Sequence, residues 1–187
     1  MRARFRAQST LGGTLSNASG AVISSDGTLR ADAAAIDNRG TISAATVDLH
    51  GETLNNAGLI QGSDDVTLAG RTTLTNQTPG QVLSGGNATL SANLLNNLGY
   101  LQARELAVQS QQLTQQGQMV AQEKLSLHIP QWRNQGTLQA QQLEIVADQL
   151  ENQGTLLGLT QLALHTQRLT NLQGGKIFSA QDLLLDT

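Results

Sequence analysis

Apolar and polar residues alternate along the chain in short runs, and these runs recur with similar spacing from the first quarter to the last. Pairs of apolar residues two positions apart, such as Val47 and Leu49, are typical of β-strands, whose side chains alternate between two faces. Gly, Asn, Ser and Asp lie between the runs and indicate turns. The pattern therefore predicts short strands that close a loop once per repeat.

One phrase marks every copy of the repeat: an apolar residue, one further residue, an amide residue, and then a Gly shortly afterwards. The amide position is occupied by Asn17, Asn38, Asn56, Asn76, Asn97, Gln115, Asn134, Asn152 and Asn171. The glycine position is occupied by Gly20, Gly40, Gly58, Gly80, Gly99, Gly117, Gly136, Gly154 and Gly174. The intervals between these glycines run from 18 to 22 residues, with a mean of about 19, which indicates a true internal repeat.

Each copy continues with further apolar positions after its glycine. The first is an aliphatic residue: Val22, Ile42, Ile60, Val82, Leu101, Met119, Leu138, Leu156 or Ile177. A pair two residues apart follows, and two of the pairs are partial, Gly27 with Leu29 and Ala88 with Leu90. Each copy is thus expected to contribute about four inward side chains.

The repeat predicts an all-β fold, a parallel β-helix of about nine coils. Tetratricopeptide and ankyrin units need 33 or 34 residues, so helical repeats do not fit the period. Leucine-rich repeats are closer in period. Their Asn lies three residues after the Leu-x-Leu pair, however, whereas here it lies eight residues after it, as from Leu68 to Asn76.

In a stack of coils, equivalent residues lie about 4.8 Å apart, so every column becomes a row of like side chains. We expect the amide column to form a ladder in which each side chain bonds its neighbours above and below. Gln115 is one methylene longer and should mark a local irregularity. We expect the glycine column to adopt positive φ at the turn.

The pattern Leu-x-Asn-x-Gly-x-Ile followed by Leu-x-Leu resembles the filamentous haemagglutinin repeat. Its clearest copies run from Leu54 to Leu68, from Leu95 to Val108 and from Leu150 to Leu164, and the resemblance covers the chain from about Leu15 to Leu185. It implies a right-handed parallel β-helix from a two-partner-secreted exoprotein, either an adhesin or a contact-dependent growth inhibition effector. It also implies secretion to the surface of a Gram-negative bacterium through an outer-membrane two-partner transporter.

The favoured function is a structural shaft segment that extends other regions of such an exoprotein from the cell surface. Its partners would be the adjoining coils of the parent protein, because the last copy ends at Leu183–Leu185 without a polar cap. One alternative is a module that binds a receptor or glycan of the host or target cell. A less favoured alternative is a β-helix enzyme that degrades polysaccharide. The domain prediction is a β-helix over residues 15–187, preceded by an arm or partial coil over residues 1–14.

Composition narrows the function classes further. The formal net charge is −3 and charged residues make up 13% of the chain, so a nucleic-acid-binding surface is not predicted. No apolar run approaches the length of a membrane span. The chain has no Cys, which excludes disulfides and thiolate sites. Only 4 of the 23 Gln residues precede residue 100, so the second half is expected to present a distinct surface.

Candidate metal and catalytic residues do not cluster in this pattern. His50, His128 and His165 fall in one outward column, but the closest two are two coils apart, about 10 Å at the strand spacing. A glycosidase-type site needs paired carboxylates, and the outward slots place no two acids in neighbouring coils. Glu105 beside Lys124 is expected to form a surface ion pair. No catalytic, metal or cofactor site is predicted, and the segment is not expected to be an enzyme.

Aromatic residues are scarce, at 2% of the chain. Trp132 stands where other copies have Leu, two residues after Pro130, and either widens the coil interior or turns to the surface. If it turns outward, Trp132 and Tyr100 are a possible contact patch. Arg2, Arg4 and Arg6 are expected to belong to the N-terminal arm.

Overall fold

The structure is a computed structural model that describes the backbone of residues 6–187 and the side chains of residues 12–187. Arg2, Arg4 and the side chain of Arg6 lie outside the described residues. The described part of the chain contains fourteen successive strands: β1 Arg6–Asn17, β2 Val22–Ser24, β3 Thr28–Asn38, β4 Thr41–Asn56, β5 Leu59–Asn76, β6 Gln81–Ser84, β7 Asn87–Asn97, β8 Tyr100–Gln115, β9 Gln118–His128, β10 Gln131–Asn134, β11 Thr137–Asn152, β12 Thr155–Asn171, β13 Lys176–Ser179 and β14 Asp182–Asp186.

The strands form one parallel β-solenoid of about nine turns, about 19 residues apart, which confirms the predicted fold class. Each residue pairs with its equivalent one coil later, as Leu54 does with Leu74 and Leu74 with Leu95. The right-handed sense implied by the resemblance stays an expectation. β1 pairs with β3 from Arg6 onward, and the division of the chain at residue 15 likewise stays a prediction.

Each coil bends at three places. Within β4, the pairing with β5 is interrupted after Ala44 and again after Gly51, and the third bend is the turn that follows Asn56. Small residues at the first two bends let the backbone change direction without a bulky side chain in the narrow interior. A coil therefore consists of three short sides, each with alternating inward and outward side chains.

The interior is a continuous stack of aliphatic side chains. In one coil, Ile42, Val47, Leu49 and Leu54 are each no more than 2% exposed. Burying such a side chain contributes about 1.5–3 kcal/mol relative to leaving it in water, and the inner coils repeat this buried set. The predicted strand pairs thus supply the core.

The first coil departs from the predicted assignment. Ile23, not Val22, pairs with Ile42, and Val22 is 65% exposed. Leu29 and Ala31 pair with Val47 and Leu49, so the predicted pair of Gly27 and Leu29 is wrong. Both errors arise because the positions of this coil were assigned by their distance from Gly20, and Gly20 lies within a longer turn.

Candidate functional site

The amide column runs along one inward corner of the solenoid, at the end of the strand that carries the Leu54 column. From Asn17 to Asn97, each side-chain Nδ2 donates to the side-chain oxygen of the next coil at 2.8–3.0 Å. Nδ2 also donates to a main-chain carbonyl of the next coil, as Asn38 does to Leu59 O at 3.1 Å. Asn38, Asn56, Asn76 and Asn97 are fully buried. Each of these amides therefore has partners that offset the cost of removing it from water.

Gln115 interrupts this regular arrangement. It accepts from Asn97 Nδ2 at 3.0 Å, but its own Nε2 donates to Gly117 O in the same coil at 2.9 Å. Among the hydrogen bonds of the described residues, none joins Gln115 to Asn134. The column resumes at Asn134, which donates to Asn152 Oδ1 at 2.9 Å. The longer side chain thus bends back onto its own turn instead of reaching the next coil.

The expectation that the glycine column adopts positive φ is wrong for most of its members. Among the described residues, only Gly20 and Gly174 have positive φ, at 77° and 88°. The other predicted glycines lie where the preceding coil comes very close. A Cβ on Gly117 would lie 2.8 Å from both Gly99 N and Leu98 C, and closer still to Gly99 O. Glycine is present there because the backbones of adjacent coils leave no room for a side chain.

The two glycines with positive φ lie one residue before the column. Thr41 pairs with Val22 and Thr155 with Lys176, which aligns Ala21 with Gly40 and Gly175 with Gly154. A Cβ on Gly175 would approach Asn152 O and Asn171 Oδ1, whereas one on Gly20 would meet nothing within 4 Å. Gly20 and Gly174 instead allow the left-handed conformation that a longer turn needs.

Trp132 lies in the interior. It occupies the column between Leu113 and Leu150, and it is 6% exposed. The contact patch of Tyr100 and Trp132 is therefore wrong, since the indole is enclosed by the coil. Its Nε1 is buried without a hydrogen-bond partner. Tyr100 is half-buried, and its O–H donates to Gln102 Oε1 at 2.7 Å.

The three histidines do occupy one outward column. The pairing aligns His50 with Ala69, Ser91, Gln109 and His128 in successive coils, and Val146 with both His128 and His165. His50 bonds Asp48, and His165 Nδ1 lies 3.4 Å from Asp186 Oδ2. Among the described residues, no group of three or more His, Asp and Glu side chains is placed to hold a metal ion.

Charged side chains form ion pairs both within a coil and between neighbouring coils. Glu105 and Lys124 are register neighbours, yet Lys124 Nζ lies 2.6 Å from Glu144 Oε2, while Glu105 lies 3.6 Å from Arg104. The predicted pair is thus wrong, because Lys124 reaches toward the following coil. These partners are all substantially exposed, so each pair contributes little to stability.

A second amide row lies outside the solenoid and was not predicted from the sequence. Gln116 Nε2 donates to Gln135 Oε1 at 3.2 Å, and Gln135 Nε2 donates to Gln153 Oε1 at 3.5 Å. Each of these residues immediately follows a member of the inner amide column. The recurrence of Gln at this position of the repeat could have predicted the outer row. From the sequence, only the abundance of Gln in the second half of the chain was noted.

Comparison with known proteins finds relatives that share the name CdiA. Over 92 residues, or 49% of this chain, it is 47% identical to the deoxyribonuclease CdiA of Dickeya dadantii (strain 3937) and 34% identical to the tRNA nuclease CdiA of Yersinia mollaretii. Over 115 residues it is 32% identical to the 16S rRNA endonuclease CdiA of Enterobacter cloacae subsp. cloacae. In each case the match spans 3% of the relative's length.

These CdiA relatives are contact-dependent growth inhibition proteins. Together with the β-solenoid, they confirm the predicted resemblance to the filamentous haemagglutinin-like repeat regions of two-partner-secreted exoproteins. No protein-family model matches the chain. No solved structure matches it either. Among the described residues there is no helix of the length and apolarity that a membrane span needs.

Proposed function

We propose that this chain is a shaft segment of a contact-dependent growth inhibition exoprotein, which extends functional regions of that protein from the bacterial surface. The continuous parallel pairing of every coil with the next supports this proposal most directly. Nine coils at ~4.8 Å each make a rod of roughly 40 Å, and further coils would lengthen it by the same step.

The stiffness of the rod comes from three sets of contacts between neighbouring coils. These are the main-chain hydrogen bonds of the parallel pairing, the stacked aliphatic interior and the inner amide column. We assign the amide column, Asn17 to Asn171, a structural role as a ladder, and the glycine column a structural role in close coil packing. Bending the rod would break contacts of all three kinds at once.

The nuclease activities in the relatives' names belong to proteins of which the matching segment is a small part. We assign no nuclease or other catalytic site to this segment. Its immediate partners would be adjoining coils of the parent exoprotein, and its location the surface of a Gram-negative bacterium after export by an outer-membrane transporter. The organisms of the relatives support that location.

The test is removal of one complete coil from the parent exoprotein. Deleting residues 117–135 joins Gln116 to Gly136 and recreates a native Gln-Gly junction, so every column stays in register. The matched control deletes residues 118–126, about half a coil, and misaligns every column after it. We expect co-culture inhibition of target cells to survive the whole-coil deletion and to be lost with the half-coil deletion.

Two results would contradict the proposal. One is loss of inhibition with the whole-coil deletion although the protein is still exported, since a shaft tolerates a change of one coil in length. The other is cleavage of plasmid DNA or tRNA by the purified 187-residue chain, since a shaft has no catalytic site.

A further inference from the structure

A long polar groove follows the turn edge of the solenoid. Its volume is about 590 Å³. Its lining begins at Pro79 and ends at Gly174 and Lys176. It spans six successive turns, so its length is about 24 Å at ~4.8 Å per coil.

The turn lengths define the two ends of this groove. Between Gly80 and Gly154, each turn has a single residue between the amide column and the glycine, such as Leu98 or Gln135. The turns at Gln77–Pro79 and at Leu172–Gly174 have three residues there. The tight turns thus make the bottom of the groove, and a longer turn lies at each end.

The floor of the groove is bare backbone. Gly99, Gly117, Gly136 and Gly154 line it one coil apart, and no side chain fits at these positions. Their backbone groups are already paired between coils: Gln118 N donates to Gly99 O at 2.9 Å, and Thr137 N donates to Gly117 O at 3.0 Å. The floor is therefore smooth and offers no unpaired strand edge.

The walls carry side chains with spare hydrogen-bonding capacity. On one side stands the outer amide row, Gln116, Gln135 and Gln153, which are all exposed. On the other side stand Gln118 and Thr137, in a column that also contains Gln81 and the aromatic ring of Tyr100. An amide presents both donors and acceptors, and so does a hydroxyl. Lys176, at one end, is the only lining residue that is charged at neutral pH.

From this geometry we propose that the groove binds a linear neutral polysaccharide, with its sugar residues laid along successive coils. A sugar hydroxyl donates and accepts, which matches the amides and hydroxyls of the walls. The polar groups repeat every ~4.8 Å, close to the advance per residue of an extended hexose chain. The half-buried ring of Tyr100 offers an apolar face against which a pyranose ring packs.

Other polymers fit this groove less well. A peptide that adds to a sheet as an extra strand needs unpaired backbone N–H and C=O groups, which this floor does not provide. A nucleic acid needs a row of cations to neutralise its phosphates, and the lining has one lysine. The binding proposal is independent of the shaft proposal, because a rod without ligand affinity remains a rod.

The test is a titration of the ¹⁵N-labelled 187-residue chain, followed through the amide resonances of Gly99, Gly117, Gly136 and Gly154. The probes are cellohexaose, laminarihexaose, maltohexaose and chitohexaose, each added separately. We expect at least one hexasaccharide to shift these four resonances saturably. The corresponding disaccharide should bind at least about tenfold more weakly, since it covers fewer coils.

Two triple variants separate the groove from the rest of the surface. Replacing Gln116, Gln135 and Gln153 with Ala should weaken binding by about tenfold or more. The matched control replaces the exposed Gln111, Gln122 and Gln141, none of which lines the groove, and should leave the affinity unchanged. All six residues are exposed, so both variants should keep the native spectrum elsewhere.

Three outcomes would overturn the proposal. The first is that no hexasaccharide shifts the glycine resonances. The second is that the two triple variants bind equally well. The third is that a neutral hexapeptide of Ser, Gly and Asn binds at the same four glycines more tightly than every sugar.

Discussion

Replacing Gly117 with Ala tests the reason for the glycine column most directly. The new Cβ would lie 2.8 Å from Gly99 N and Leu98 C, whereas non-bonded heavy atoms prefer about 3.5–4.0 Å. The obstructing atoms all belong to the backbone of the preceding coil, so no side chain can rotate away. The two coils would have to separate at this turn.

The expected cost follows from that separation. Overpacking of this kind costs about 1–3 kcal/mol. Moving the turn also stretches two hydrogen bonds, from Gly117 N to Asn97 O and from Gln118 N to Gly99 O, each contributing about 0.5–1.5 kcal/mol. Replacing Gly with Ala also lowers the conformational entropy of the unfolded chain, and this stabilises the folded protein by about 0.4–1 kcal/mol. We therefore expect a net destabilisation of about 3 kcal/mol.

Two further glycine variants separate steric from conformational effects. Gly20→Ala meets no atom within 4 Å but has a φ of 77°, so it should cost about 1–2 kcal/mol for a left-handed alanine. Gly13→Ala meets no atom and has no positive φ, so it should be neutral or stabilise by up to about 1 kcal/mol. Urea unfolding followed by circular dichroism measures all three.

The order of the three variants decides the question. The steric explanation requires Gly117→Ala to be the most destabilised and Gly13→Ala the least. If Gly20→Ala loses as much stability as Gly117→Ala, or if Gly117→Ala behaves like Gly13→Ala, then close coil packing is not the reason for the column.

Three other changes have expected outcomes. Asn97→Ala removes one hydrogen-bond partner from Asn76 and one from Gln115, and it should destabilise by about 1–3 kcal/mol in thermal unfolding, whereas the outward Gln109→Ala should change little. Equal losses would refute a stabilising ladder. Leu150→Asp places a charge in the interior and should open the coil that contains it, so limited proteolysis should first cut near residues 150–170. Uniform unfolding of the whole chain would contradict coil-by-coil stability. Leu185 is 49% exposed on the last strand, so the isolated chain should self-associate in a light-scattering concentration series. Leu185→Asp should reduce this self-association. If the two proteins behave identically, the apolar last strand is not the cause of self-association.

The sequence by itself determined the repeat, the strands and most of the interior columns. Alternation of apolar and polar residues is a local property, because neighbouring side chains of a strand point to opposite faces whatever lies beside them. The amide column from Asn38 to Asn152 could be read in the same way, since one phrase recurs in every copy. A period of about 19 residues then excluded the helical repeats before any contact was known.

The tertiary structure alone decided how atoms of different coils meet. Ala21 and Gly175, rather than Gly20 and Gly174, complete the glycine column, because turn length shifts the register without disturbing the pattern of the strands. The steric reason for Gly117 depends on a carbonyl group 18 residues earlier in the chain. The partner of Lys124 depends likewise on which neighbouring coil its side chain reaches. Distances between coils are properties of the packed stack, so the groove of glycines and outer amides exists only once the coils are assembled.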